Sequence, residues 1–191
     1  ADLLQLADRA IALNPDSAGL RILLGGYLVR LGRAAGALDL LRAAEPLASP
    51  DEQEMLYFTM GSALGRLEKL DEAAALFRRV LELEPENFEA ARLRGFSLMR
   101  LGRFEEAIQA FRTAEAGLPD DPRLLEDTAM SYAELKDFDS AVRYFTRAVA
   151  VRPTAVSKIN PSASRTRQAS RCNTAAQQYA SKSAWSHGLK K

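Results

Sequence analysis

Cysteine, histidine and tryptophan are almost missing from this sequence. Its 191 residues hold one of each, Cys172, His187 and Trp185, and all three fall after residue 153. A single cysteine excludes an internal disulfide framework and a Cys-rich zinc site. Residues 1–153 have neither His nor Cys, so the commonest general base and the usual zinc ligands are absent there. Cys–His and Ser–His–Asp arrangements go with them. No glycine pattern of a phosphate loop or a dinucleotide site is present. Aromatic residues are only 7% against 47% hydrophobic overall, so a core must be built mostly from Ala and Leu. That composition favours closely packed helices over sheets. No apolar run approaches the roughly 20 residues that a membrane-spanning helix needs. No secretory signal series is evident at the N-terminus. The chain opens on Ala1 rather than Met, which leaves a targeting signal, and the compartment, open.

Acidic residues are also unevenly spread. All 25 Asp and Glu lie within residues 1–153, against 19 Lys and Arg, a balance of −6. Residues 154–191 hold seven Lys and Arg and no acid. Two compositions therefore meet near Pro153.

What is present is a fixed period. The segments 54–87, 88–121 and 122–155 align without gaps, and Pro85, Pro119 and Pro153 recur every 34 residues. Ala73, Ala107 and Ala141 keep the same step. So do Phe77, Phe111 and Phe145, and the small residues Gly61, Gly95 and Ala129. An earlier copy, residues 18–53, carries Gly25, Leu28, Ala37, Leu41 and Ala44 in matching columns. It runs two residues long, and the surplus falls around Pro46–Pro50. Residues 1–17 read as the second half of one more copy, with Ala10 and Pro15 in register.

This column set resembles the tetratricopeptide repeat, a family marked by a 34-residue period of small, aromatic, Ala and Pro positions. The similarity spans about four and a half repeats over residues 1–153. The family's preferred Trp is replaced, with Tyr57 the nearest substitute. The resemblance implies an all-α, right-handed superhelical solenoid of antiparallel helix pairs.

The residues themselves read the same way. In the third copy, 89–101 and 104–116 are two amphipathic helices joined at Gly102-Arg103, where Gly takes the left-handed conformation that ends a helix. Gly32 does this in the first copy. Asp71, Asp120 and Asp121 stand where helix-starting acceptors are expected. Gly61, Gly95 and Ala129 are expected to face Ala73, Ala107 and Ala141 across each hairpin. Phe77, Phe111 and Phe145 are expected to fill the space between repeats. The carboxylate pairs Asp71-Glu72 and Glu105-Glu106 sit at helix starts, where acids complement the dipole, and are not read as an acid–base site. The half copy in residues 1–17 lacks its first helix and the last copy lacks an amphipathic follower. This reads as a fragment, or as ends covered by other domains, another subunit or self-association.

By the family resemblance, the first helix of each repeat lines a concave groove. The groove residues carried over are Ile22, Val29, Arg30, Phe58, Arg66, Arg92, Phe96, Met99, Arg100, Arg123 and Met130. Apolar groups interleaved with arginines suit a partner segment that is both apolar and acidic. The positions matching the chaperone-tail clamp of some family members are Ile22, Gly26, Thr59, Glu89 and Leu93, or Phe58, Ser62, Leu93, Arg123 and Asp127, which argues against that partner. The reading is a non-catalytic protein-binding scaffold with no cofactor, metal or membrane span. The alternatives are the helical arm of a larger bacterial enzyme such as a transferase, and nucleic-acid binding through the basic residues 154–191. For that last stretch, an artificial or frame-shifted origin competes with a capping segment and a basic arm.

Overall fold

A computed structural model describes residues 3–151, in which every regular element is helical. The tail and its Cys172, Trp185 and His187 lie outside the described residues. The helices are α1 (Leu3–Leu13), α2 (Ala18–Arg30), α3 (Ala34–Ala44), α4 (Pro50–Arg66), α5 (Leu70–Leu83), α6 (Phe88–Arg100), α7 (Phe104–Glu115), α8 (Pro122–Glu134) and α9 (Phe138–Val151). The two surplus residues of the first copy are absorbed by a short 3-10 turn, Glu45–Leu47. The chain divides into two compact units, one ending at Pro119 and one beginning at Asp120.

In the first unit the helices pair as α2 with α3, α4 with α5 and α6 with α7. Each second helix also packs on the following first helix, α3 on α4 and α5 on α6. The first helices touch one another, α2 on α4 and α4 on α6, and so form one continuous layer. In the second unit α8 pairs with α9.

Turn chemistry explains where each pair bends. Gly32 and Gly102 take the left-handed conformation, with φ of +77° and +76°. The same position in the other two copies is held by Glu68 and Lys136, at φ 60° and 64°. Asp121 caps α8, its carboxylate accepting from the N–H groups of Arg123 and Leu124 at 2.8 and 2.9 Å. Asn87 caps α6 by accepting from Ala90 N–H at 2.9 Å. Ser49 donates its N–H and its hydroxyl to Glu52, which holds that carboxyl below its ordinary pKa. Asp71 is not a cap. It lies in the first turn of α5, one residue inside the helix, where its charge meets the dipole instead.

The core follows the repeat columns. Phe77 and Phe111 are buried at 2% and 1% exposure, with Ala37, Ala73, Ala107 and Val80 equally enclosed. The glycine column serves the rings rather than the alanines. A Cβ on Gly95 would lie 2.5 Å from two carbons of the Phe111 ring, and one on Gly61 would lie 3.0 Å from Phe77. Phe145 departs from its column. It is 39% exposed, on a stripe of α9 with Phe138, Val142 and Val149 that is also exposed. Tyr57 is buried under the guanidinium of Arg79, 4.2 Å from its ring centroid.

Candidate functional site

The layer of first helices presents one face away from the second helices. In the first unit this wall is built from α2, α4 and α6. Arg30, Arg66 and Arg100 stand in the last turns of these helices, where a cation favours the dipole, and all three are exposed. Their surroundings differ. Arg100 donates to Glu68 at 2.7 Å and lies over the Phe96 ring, 5.9 Å from its centroid. Arg30 lies 5.6 Å from the Tyr27 ring centroid. Arg66 makes no ion pair among the described residues. Arg92 is drawn down by a two-pronged bond to Glu89, and only 14% of its side chain is exposed.

The apolar members are graded. Phe58, Phe96 and Met99 are half-buried, and Phe58 meets Phe77 edge-on at 5.8 Å. Met55, one turn before Phe58 and Thr59, is 58% exposed. In the second unit, Arg123 is exposed on α8 and Met130 is 50% exposed. The hydroxyls of Thr59, Ser62 and Ser97 donate to carbonyls four residues back, at 2.7–2.9 Å, so they are already satisfied within the helices.

Two of the expected groove residues are not on this wall. Ile22 and Val29 are 2% and 6% exposed and belong to the core shared by α2, α3 and α4. The physical reason is that α2 is apolar on nearly every side, so its pattern does not say which side turns inward. Packing decides, and Leu23, Tyr27 and Leu31 are left exposed instead, at 65%, 51% and 56%.

A cleft of about 560 Å³ opens at the edge of the wall, between the first two complete repeats. Leu67 supplies apolar surface over the buried Leu28, Gly32 and Gly36 leave room, and Arg33 and Arg66 bring charge. Sequence reasoning found Arg66 and missed the cleft, because the cleft exists only where the turn of one repeat meets the helix end of the next. Among the described residues no group of three His, Cys, Asp or Glu could hold a metal ion, and no helix is long and apolar enough to cross a membrane.

The shifted carboxylates serve the scaffold. Burial pushes the Glu54 carboxyl up, helped by the charge of Glu84, while the 2.7 Å bond from the Asn87 amide pulls it back. Asp137 is held down by its bonds from Ser140, and Glu106 by the Arg103 guanidinium.

Comparison with known proteins agrees with the helical-repeat fold. A family model described as tetratricopeptide repeat matches residues 4–52 and 58–122, and a second of the same description matches 125–154. Comparison with curated protein sequences gave no match. Solved structures similar to the chain include a crystal structure of MamA, at TM-score 0.70 and 21% identity, covering 76% of this chain and 84% of that one. MamA MSR-1 is similar at TM-score 0.63 and 27% identity, covering 71% and 76%. A MamA fragment, 41-end, from Desulfovibrio magneticus RS-1 is similar at TM-score 0.67 and 21% identity, covering 84% and 93%.

Proposed function

Since this chain belongs to the tetratricopeptide repeat family, we propose that it holds a peptide or helix of a protein partner along the wall of first helices. Protein-interaction scaffolding in general is what the repeat and the MamA-like fold support. The same fold is typical of non-catalytic proteins. The observation that carries the finer reading is the wall itself. Phe58, Phe96, Met99 and Met55 leave apolar surface there beside exposed arginines, Phe58 with its inner edge against the core. Aromatic and Arg side chains carry most of the energy at protein interfaces. A partner segment with an apolar face and carboxylates suits this surface best.

The test is affinity capture from the source cell with the tagged full chain. Wild type is compared with a Phe96→Ala, Arg100→Glu double variant whose helicity is checked by circular dichroism. Phe96→Ala removes an anchor worth about 2 kcal/mol at an interface centre. Arg100→Glu reverses a charge on the wall. The retained proteins are expected to be lost from the double variant. Equal retention by both forms would move the binding surface elsewhere.

A further inference from the structure

We infer that the bound segment seats a carboxylate against Arg66 in the cleft that it lines with Gly32, so that the junction of the first two complete repeats reads an acidic residue. The inference deepens the reading above and rests on it.

The repeat supplies the argument. Arg100, at the end of α6, reaches back to the turn of the preceding repeat and bonds Glu68 at 2.7 Å. One repeat earlier, the same relation joins Arg66, at the end of α4, to the turn residue Gly32. Glu68 and Gly32 hold the same left-handed turn position, at φ 60° and +77°. Gly32 has no side chain to offer, and a Cβ built on it meets nothing within 4 Å. The space where the matching carboxylate would stand is open, and it is the cleft, which both Gly32 and Arg66 line. The lining holds no acid. Arg66 therefore keeps its fork of donors exposed, with no carboxylate among the described residues to occupy it. A carboxylate fits that fork in two parallel bonds, which gives geometric selectivity as well as affinity. Leu67, half-buried, favours an aliphatic side chain next to the acid in the partner.

The experiment uses the full chain and a displayed library of short random peptides. Selected binders are re-synthesised with a fluorophore and measured by anisotropy. Binders are expected to carry Asp or Glu beside an aliphatic residue. Replacing that acid by its amide should weaken binding to wild type about tenfold or more, the scale of a hydrogen bond to a charged group. Arg66→Ala should cost the same, and the two changes together should cost no more than either alone. Gly32→Glu should also cost about tenfold, because it supplies Arg66 with an intrachain partner as Glu68 supplies Arg100. Gly32→Gln fills the same space without the charge and is expected to bind within about twofold of wild type, which separates charge from bulk. Independent, additive effects of the peptide acid and Arg66→Ala would overturn the inference. Loss on Phe96→Ala with none on Arg66→Ala would overturn it while leaving the wall as the binding surface. Loss on neither, or no binder at all, would overturn both.

Discussion

Two helical glycines give a prediction whose sign differs between them. Gly65 lies in the last turn of α4 and Gly95 in the middle of α6, and Gly→Ala in a helix interior ordinarily gains about 1 kcal/mol. At Gly65 an added Cβ meets nothing within 4 Å, so Gly65→Ala should stabilise by about 0.5–1 kcal/mol. At Gly95 the added methyl would stand 2.5 Å from Cδ1 and Cε1 of Phe111, where carbon atoms prefer about 3.5–4.0 Å. Phe111 is 1% exposed, so its ring has little room to retreat. Overpacking of this kind costs about 1–3 kcal/mol, which outweighs the helix gain. Gly95→Ala should therefore destabilise by about 1–2 kcal/mol, and Gly95→Leu by more. Urea unfolding followed by far-UV circular dichroism reads both. For a chain of this size each 1 kcal/mol also moves Tm by about 2–4 °C. Phe111→Leu in the Gly95→Ala background should recover part of the loss, a coupling that two independent sites would not show. The reasoning fails if Gly95→Ala is as stable as Gly65→Ala.

Three further outcomes are expected. Lys136→Gly should stabilise by about 1 kcal/mol in urea unfolding, because Lys136 sits at φ 64°, a conformation that is unfavourable for residues with a Cβ. Asn87→Ala should destabilise by about 1–2 kcal/mol, since it removes both the cap of α6 and the 2.7 Å bond to Glu54 of α4. Glu54 has a raised carboxyl pKa in the folded chain, so its contribution to stability is present below the ordinary glutamate range and is lost as pH rises through the raised value. Glu54→Gln should accordingly be the more stable form at pH 7, with the gap closing below about pH 4, read from unfolding curves across that range.

Most of the fold was legible because the repeat states it three times without a gap. Pro, Gly, Ala and Phe columns each carry a packing reason, and the helix pairs stand where those columns put them. The misreadings came where one copy lacks a contrast that the others have. α2 is apolar all round, so Ile22 and Val29 passed for wall residues while packing sent them into the core. The Gly–Phe contacts escaped because residues 16 apart in sequence meet only once the hairpin closes. The site was less legible than the fold. Repeat position identifies which residues lie on first helices, but not which arginines are already held. That Arg100 is tied to Glu68 while Arg66 shares an open cleft with Gly32 depends on contacts between repeats, and no local pattern encodes it.

Partners that lie along the first helices would be caught there by photo-crosslinking. Benzoylphenylalanine is placed at Met55 on α4 in one form of the chain and at Arg78 on α5 in another. Both side chains are well exposed, so neither replacement disturbs the core. After irradiation in the source cell, protein adducts are expected from the Met55 position and none above background from Arg78. Adducts from Arg78 with none from Met55 would contradict binding along the first helices.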